Sequence, residues 1–347
     1  MYLRSQTRSF KIGGLPIGGG APVSVQTMGN RDPHDADACL EQLISCAAAG
    51  CRIFRMTVPD AAAAAVLGEV RRKSPIPVVA DIHFDYRLAL KAIEAGADAL
   101  RLNPGNIGSR ENVRAVALAA KARKVPIRIG VNSGSLEKGE TLVSSALKHI
   151  ALLEAEDFRD IAVSVKSSDV RETISAYREL AEKTDCPLHL GVTEAGTALP
   201  GTVRSAVALG ILLDDGIGDT IRVSLTDIPE KEVKVGLEIL RSVGLCAAGP
   251  SIVSCPTCGR TKVDVASTAA AVEAELERRH LADPARRLPK VAVMGCAVNG
   301  PGEAKGADIA LCGGDREFLL FVGGEPVCKV SESDAIRKVI EYVDSLG

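Results

Sequence analysis

The chain has 347 residues, of which 46% are hydrophobic and 25% charged, and its formal net charge at pH 7 is −2. This composition is typical of a globular protein with one large domain and a smaller one. The near-zero charge, without long runs of one sign, excludes an overall basic surface for nucleic acid or an anionic membrane, and the 3% aromatic content without Trp argues against base stacking.

The first residues, MYLRSQTRSFKIGG, lack the apolar stretch of a signal peptide, and no apolar run approaches the ~20 residues that span a bilayer. We therefore expect a cytoplasmic protein, in which the ten cysteines are reduced and serve as metal ligands or buried side chains rather than disulfides. The glycine-rich residues 13–20 could bind a phosphate, but we interpret them as the turn of a short N-terminal hairpin.

From about residue 23 to 245, short apolar runs alternate with amphipathic helical runs, of which 109–124 and 169–184 have the clearest helical period. Eight such units in about 225 residues predict an α/β protein with a (β/α)8 TIM barrel. A doubly wound open sheet is the competing layout, but no G-x-G-x-x-G follows the first strand. The predicted strands are VSVQTM, CRIFRMTV, PVVADIH, ALRLNP, PIRIGVN, DIAVSVK, PLHLGVT and TIRVSL.

The pattern changes after Leu245, where a segment rich in Gly, Pro and Cys precedes a helix at about 266–281 and a closing helix from about 332. Residues 251–347 contain five of the ten cysteines. We expect a barrel domain over 1–248 and a small α+β domain over 249–347.

Five cations stand near the ends of the predicted barrel strands, where such barrels carry their chemistry. Because Arg and Lys are rarely buried without partners, this group predicts an anionic ligand, and guanidinium groups suit the oxygens of a diphosphate. The alternative is that each cation pairs with a neighbouring acid to stabilise the fold. The cations are Arg55, Arg101, Arg128, Lys166 and Arg222.

Other polar side chains at the same strand ends complete the candidate substrate site: Asp81, His83, Asn103, Asn132, Glu194 and Ser224. Asn103 precedes a Pro-Gly turn and a helix start, where free backbone N–H groups can also bind phosphate. A plain Asx-turn explains that motif equally well.

Cys255 and Cys258 have the spacing that brings two thiolates to one metal, and Cys296 at a later strand end supplies a third ligand. This pattern predicts an iron–sulfur cluster or zinc. Spacing leaves the fourth ligand open among Cys246, Cys312, Cys328 and Glu303. A four-thiolate zinc ribbon would require a second C-x-x-C, which is absent from the sequence. The remaining cysteines, Cys39, Cys46, Cys51 and Cys186, are expected to be buried.

Seven motifs, in order, make the chain resemble the 4-hydroxy-3-methylbut-2-enyl diphosphate synthase family of the non-mevalonate isoprenoid pathway over nearly its whole length. They are ADIHFDYRLAL, LRLNPGNIG, RIGVNSGSLE, HLGVTEAG, GDTIRVSLT, SCPTCGRT and MGCAVNGPGEAKGADI. The resemblance implies the two-domain bacterial form, with a barrel that binds 2-C-methyl-D-erythritol 2,4-cyclodiphosphate. It also implies a C-terminal domain that carries a [4Fe-4S] cluster, held at positions that match Cys255, Cys258, Cys296 and Glu303.

The resemblance further implies reductive ring opening and dehydration with two electrons from reduced flavodoxin or ferredoxin. The five cations would bind the diphosphate, and Glu194 would face the substrate and help protonate the leaving hydroxyl. Glu303 would be a harder and more labile iron ligand than a thiolate. A phosphate-binding TIM-barrel lyase or transferase with a structural zinc domain is the alternative enzyme, and a non-catalytic binding protein is the alternative from another class.

Barrel topology adds an expectation about assembly. The eighth barrel helix brings the chain to the face opposite the mouth, and a domain of about 100 residues has a radius of gyration of only about 13 Å. We therefore expect the cluster domain to cover the barrel mouth of a second subunit in a head-to-tail homodimer. The family is similarly a head-to-tail homodimer.

The sequence differs from the family pattern in two loops. GNRDPHD replaces a Thr/Asn-rich stretch after the first strand, and the loop after SGSLEKGE is shorter. Asn30 and Arg31 are therefore not assigned as substrate contacts.

Overall fold

The computed structural model describes residues 4–246, 249–283, 286–298 and 300–346. It divides into two compact units, Met1–Cys246 and Ala247–Gly347. The sequence predicts the domain boundary between residues 248 and 249. Residues 247 and 248 lie outside the described residues, so the exact boundary stays a prediction.

The first unit begins with a hairpin and continues with eight strands that alternate with eight helices. In chain order the elements are β1 (Phe10–Ile12), β2 (Leu15–Ile17), β3 (Ser24–Met28), α1 (Ala36–Ala48), β4 (Ile53–Thr57), α2 (Ala61–Lys73), β5 (Val78–Asp81), α3 (Tyr86–Ala95), β6 (Ala99–Leu102), α4 (Arg110–Arg123), β7 (Ile127–Asn132), α5 (Leu142–Glu154), β8 (Ile161–Lys166), α6 (Val170–Lys183), β9 (His189–Leu190), α7 (Ala198–Asp214), β10 (Thr220–Ile221) and α8 (Pro229–Ser242).

The eight strands β3 to β10 form one parallel sheet in the order β8-β7-β6-β5-β4-β3-β10-β9. A parallel bridge between Val163 and Leu188 brings the two edge strands together. Closure of this kind removes the free edges of the sheet. The predicted TIM barrel is confirmed, and the open-sheet alternative is wrong.

The hairpin closes the bottom of this barrel. Gly13 and Gly14 turn the chain with φ of 54° and 94°, in the left-handed region that glycine adopts without strain. Phe10 and Ile17 pack against residues at the starts of barrel strands, among them Ile53. Residues 13–20 thus include the turn of a hairpin, as predicted.

Aspartate side chains cap the first turns of several barrel helices. Asp60 accepts a hydrogen bond from the N–H of Ala63 at 2.9 Å, and Asp169 accepts one from Glu172 at 2.7 Å, so each satisfies an otherwise unpaired donor of the first turn. The predicted helices at 109–124 and 169–184 are α4 and α6, each within one residue at either end. Cys39, Cys46, Cys51 and Cys186 are buried as expected. None of the described helices is both long enough and apolar enough to cross a membrane.

The seventh and eighth barrel strands are shorter than predicted. Residues 187–193 and 220–225 were both expected to be strands, but β9 and β10 have only two residues each. The N–H of Arg222 still bonds the carbonyl of Leu190 at 2.9 Å, after which the N–H of Thr193 bonds Ser167 and that of Leu225 bonds a side chain. The chain therefore leaves the ladder early and forms the loops of the barrel mouth.

The second unit is the expected α+β domain. Its elements are β11 (Ser251–Ser254), α9 (Val265–Ala282), β12 (Lys290–Met294), α10 (Gly300–Ala304), β13 (Ile309–Gly313), β14 (Glu317–Val322), β15 (Glu325–Ser331) and α11 (Glu332–Leu346). The five strands pair in chain order, with β11, β12 and β13 parallel and the last two antiparallel. Alternation along β12 places Val291 and Val293 in the core with α9 and α11, and Ala292 and Met294 in a second cluster.

Candidate functional site

Strand register brings charged residues of the barrel together. Asp81 on β5 is the partner of Arg101 on β6, which is in turn the partner of Arg128 on β7. One oxygen of Asp81 accepts from Nη1 of Arg101 at 3.3 Å, and the other lies 3.7 Å from Nε of Arg55. Burial raises the pKa of Asp81, but Arg55 and Arg101 outweigh it and lower the pKa below its usual value. Asp81 is therefore an ionised carboxylate between two cations.

Arg222 has a carboxylate partner that sequence reasoning missed. Glu232, in the first turn of α8, accepts from Nη2 of Arg222 at 3.1 Å and from the hydroxyl of Thr27 at 2.6 Å. It also accepts from the N–H of Leu225 at 2.9 Å, and its side chain is only 4% exposed. The only sequence signal was an acidic residue in a first helical turn, which is common on exposed helices.

Arg128 lies inside the barrel rather than at its rim, which corrects the prediction. It is the second residue of β7, and its Nη1 donates to Oε1 of Gln26 at 2.6 Å. Nε and Nη2 of Arg128 have no hydrogen-bond partner among the described residues. Burial, together with Arg55 and Arg101, lowers the pKa of Arg128.

A further polar group in the barrel interior was missed. His189 on β9 is fully buried, with Nδ1 2.8 Å from the hydroxyl of Thr220 and Nε2 unpartnered among the described residues. Burial and the charges of Arg128 and Lys166 lower the pKa of His189, which keeps the ring neutral. The segment PLHLGVT predicted a strand but gave no indication of a functional histidine, because a single His in a buried strand is typical of a core residue.

Lys166 ends β8 and is also buried. Burial lowers its pKa, and Arg128 and Arg222 lower it further. In the part of the chain that the structure describes, neither Lys166 nor Arg128 forms an ion pair, whereas Arg55 and Arg101 share Asp81 and Arg222 pairs with Glu232. The alternative that every cation has its own acid therefore fails for Lys166 and Arg128, and the barrel has an excess of basic side chains that an anion would neutralise.

Asn103 neither forms the Asx-turn nor leads directly into a long helix. Its Oδ1 accepts from the N–H of Gly130 on β7 at 2.9 Å, and it makes no capping bond to the three-residue 3-10 helix that follows. Asn103 therefore ties the loop after β6 to the next strand.

Glu194 is held in an uncommon backbone conformation in the loop after β9. Its φ is 51°, and its side chain is exposed. On one side the N–H of Thr193 bonds the carbonyl of Ser167 at 3.1 Å, and on the other Arg204 donates to the carbonyl of Ala195 at 2.8 Å. Strain that neighbouring contacts maintain is common at functional sites, which is consistent with the predicted role.

The remaining predicted residues are less constrained. His83 has Nε2 4.0 Å from Asp81 and a side chain that is 49% exposed. Asn132 ends β7 as the register partner of Lys166, and Ser224 follows β10 with partial exposure.

The divergent loop after β3 is held by two sets of hydrogen bonds. Gln42 of α1 donates to Oδ1 of Asn30 at 2.7 Å and accepts from its N–H at 2.9 Å. His34 bridges Asp32 at 2.8 Å and Asp60 at 2.9 Å, which joins this loop to the N-terminus of α2. Asn30 thus has a structural partner.

The predicted cysteine ligands lie at one end of the second sheet. Cys255 follows β11 and Cys296 follows β12, and these strands are parallel neighbours. The N–H of Gly295 bonds Sγ of Cys255 at 3.1 Å. A hydrogen bond from the backbone of Arg260 and the charge of that residue lower the pKa of Cys258, which interacts electrostatically with Cys296. These are conditions that favour thiolate ligands.

Two of the four candidates for a fourth ligand lie close to Cys296 in the second unit: Glu303, on the helix that follows it, and Cys312, which interacts with it electrostatically. Glu303 lies on α10, whose first N–H bonds the carbonyl of Cys296 at 3.2 Å. Cys312 is buried in β13, Cys328 lies on β15 at the far edge of the sheet, and Cys246 belongs to the barrel unit. Among the described residues, no three His, Cys, Asp or Glu side chains are arranged to hold a single metal ion. The ligand set therefore stays a prediction.

Comparison with known proteins decides the family. The GcpE TIM-barrel domain matches residues 7–237, and the GcpE protein C-terminal domain matches residues 251–345. The chain belongs to the GcpE family. A GcpE relative from Geobacter sulfurreducens, named 4-hydroxy-3-methylbut-2-en-1-yl diphosphate synthase (flavodoxin), is 53% identical over 99% of both chains. A relative of the same name from Ruminiclostridium cellulolyticum is 50% identical over 99% of this chain and 98% of its own.

These GcpE relatives confirm the predicted family and the oxidoreductase class. Among solved structures, the dihydropteroate synthase of Yersinia pestis is similar with a TM-score of 0.52 and 15% identity, covering 68% of this chain and 96% of its own. At that identity the similarity shows the barrel fold alone.

Proposed function

We propose that this GcpE-family chain converts 2-C-methyl-D-erythritol 2,4-cyclodiphosphate to (E)-4-hydroxy-3-methylbut-2-enyl diphosphate. One C–O bond of the ring breaks, one hydroxyl leaves as water, and the reaction consumes two electrons and two protons. The observation that carries the proposal is the excess of basic side chains in the barrel interior and mouth, where five of them share two carboxylates among the described residues. A diphosphate supplies the missing negative charge, and the names of the relatives contain a diphosphate product.

The barrel residues would bind and orient the substrate. Arg55, Arg101 and Arg222 are fixed by carboxylates and can donate their remaining N–H groups to phosphate oxygens. Lys166 and Arg128 provide the uncompensated charge. Because these side chains are held before a ligand binds, little reorganisation opposes diphosphate binding. His83, Asn103, Asn132 and Ser224 complete the substrate site in this proposal.

Glu194 would be the acid that protonates the departing hydroxyl. It is a carboxyl group at the mouth, on a loop fixed from both sides, and its exposure allows it to exchange protons with solvent. Glu194→Gln tests this role, since the amide retains the shape but cannot donate a carboxyl proton.

Cys255, Cys258, Cys296 and Glu303 would hold a [4Fe-4S] cluster. The donor set fits, because three thiols lie at one sheet end, two of them with a backbone N–H that favours the thiolate, and α10 follows Cys296 and carries Glu303. When bound, the cluster would supply two electrons, one at a time. Glu303, as a carboxylate, is the ligand most easily exchanged.

Reduced flavodoxin is the proposed electron donor, since the relatives carry that donor in their names; ferredoxin is the second candidate. The proposed location is the cytoplasm, because ten cysteines that serve as metal ligands or buried side chains suit a reducing compartment.

A head-to-tail homodimer is the proposed assembly. Glu232 near the start of α8 lies at the mouth, and Leu237 further along lies against Gly50, just before β4, so α8 leads the chain away from the mouth. Helix α7 has an exposed apolar face at a spacing of four residues, which a second copy would cover. Its side chains are Leu199, Val203, Val207 and Ile211.

Mixed subunits test whether the site is shared. Cys296→Ala lacks a cluster ligand and Lys166→Met lacks a substrate cation, so each alone is expected to be inactive. Random exchange of the two should restore about a quarter of the parent activity if barrel and cluster come from different subunits. No restoration after demonstrated subunit exchange would contradict a site shared between subunits. A monodisperse active monomer would contradict the dimer itself.

The first test of function is the iron and acid-labile sulfide content of protein purified without oxygen, followed by turnover with reduced flavodoxin. About four of each per subunit are expected for a [4Fe-4S] cluster, together with the diphosphate product. Arg222→Ala should retain the iron but lose substrate binding. One zinc and no sulfide would instead favour the lyase or transferase with a structural zinc domain.

A further inference from the structure

Gly130 lies beneath the guanidinium of Arg101. It is two residues beyond Arg128 on β7, so both residues face the same side of the strand. A Cβ at Gly130 would lie 2.8 Å from Nη2 and 2.9 Å from Cζ of Arg101. Nη2 of Arg101 also donates to the carbonyl of Gly130 at 2.8 Å. The guanidinium therefore occupies the volume that a side chain at position 130 would need.

Gly191 has the same relation to Lys166. It is two residues beyond the inward-facing His189, and a Cβ there would lie 2.7 Å from Nζ and 3.2 Å from Cε of Lys166. Neither glycine has a left-handed φ, so their backbone conformations are open to other residues. What the structure requires at both positions is the absence of a side chain.

We propose that Gly130 and Gly191 are positioning residues of the diphosphate site, an inference that rests on the proposed function. Each lets a cation from the preceding strand, Arg101 from β6 or Lys166 from β8, lie across the neighbouring strand. A methyl group at Gly130 would displace the guanidinium of Arg101 from Asp81 and from the Gly130 carbonyl. The anion site would then lose one fixed donor group while the barrel keeps its fold.

Gly130→Ala is the cleaner test, because the three atoms nearest to its added Cβ all belong to the flexible end of Arg101. At Gly191 the carbonyl of Arg222 would also lie 2.6 Å from the new Cβ, so that backbone would move as well. Inorganic diphosphate is titrated into the full-length, iron-loaded protein by calorimetry. Gly130→Ala should raise Kd about tenfold, the loss expected for one charge-assisted hydrogen bond.

Gly210→Ala is the matched control, since nothing lies within 4 Å of a Cβ there, and its Kd should equal that of the parent. A parent that does not bind diphosphate would contradict the proposed function itself. A parent that binds, with Gly130→Ala binding equally well, would overturn only the role of Gly130.

The Arg101→Ala background separates positioning from a general effect on the fold. With the guanidinium gone, Gly130→Ala should cause no further change in Kd. If Gly130→Ala lowers the melting temperature of the parent, it should cause no further lowering when added to Arg101→Ala, because the clash is with that side chain. A loss of affinity or stability that persists in the Arg101→Ala background would overturn the inference.

Discussion

The barrel mouth and the cysteine end of the second sheet differ in how far they are arranged before a ligand binds. At the mouth, Arg55, Asp81, Arg101 and Arg222 are each less than a fifth exposed and form ion pairs. At the cysteine end, Cys258 is exposed, and among the described residues no three donors are arranged around a single metal ion. The proposed anion site is thus held by ion pairs of the barrel itself, whereas the proposed cluster ligands are not gathered around one point among the described residues.

Removing the thiol of Cys296 should have the largest effect of these substitutions, on iron content and on activity. Cys296→Ala is expected to lose nearly all iron and sulfide and all activity, because a cluster ligand is missing. Its Kd for diphosphate should change much less than its iron content, because all five cations that would bind the diphosphate lie in the first unit. Metal analysis and calorimetry measure both quantities.

Cys328→Ala is the matched control for that thiol, since Cys328 lies on the far edge of the same sheet. It should retain the parent's iron content. Equal iron loss in both variants would show that Cys296 has no special role.

Breaking the buried pair at the mouth should give the next largest effect. Glu232→Gln leaves the partly buried Arg222 without a carboxylate and is expected to lower the free energy of unfolding by about 3 kcal/mol, measured by urea denaturation. Glu238→Gln on the same helix removes an exposed partner of Arg241 and should cost less than about 1 kcal/mol. Similar losses in the two variants would contradict the importance of the buried pair.

The depressed pKa of Lys166 predicts that diphosphate binding depends on pH. An anion beside Lys166 raises this pKa again, so binding takes up a proton whenever the pH exceeds the pKa of the free site. Affinity should therefore fall as pH rises through that range. Lys166→Met separates the proton taken up by Lys166 from the protonation of diphosphate itself, because the same diphosphate is titrated into both proteins.

Calorimetry in buffers of different ionisation enthalpy measures the proton uptake directly. Equal uptake by the parent and Lys166→Met would show that Lys166 remains charged in the free barrel.

The smallest effect is expected in the loop after β3. Asp60 and Asp32 raise the pKa of His34, so the protonated ring stabilises the fold below its ordinary pKa, and this contribution is lost as pH rises through the raised value. The side chain is 44% exposed, so only a slight change in melting temperature is expected. His34→Gln should abolish that pH dependence, and an unchanged dependence would exclude His34 as its source.

Secondary-structure elements that depend on short-range sequence patterns were predicted well from the sequence. Strand periodicity located all eight barrel strands, and Ser109 and Asp169 marked the starts of α4 and α6. The errors were at β9 and β10, because the tertiary contacts of the mouth loops end these strands early. Arg128 was placed at the rim because a sequence shows that a cation is on a strand but not how the strands are staggered.

The sequence by itself determined the (β/α)8 barrel, the α+β domain and the set of cations and thiols, because hydrophobic periodicity and residue chemistry are properties of short segments. Only the tertiary structure decided which charges are paired. The contact of Arg128 with Gln26 spans 102 residues, and that of Arg101 with Gly130 spans 29. Such contacts depend on strand register and helix packing, so the positions of Gly130 beneath Arg101 and of Glu232 beside Arg222 can be seen only in the closed barrel.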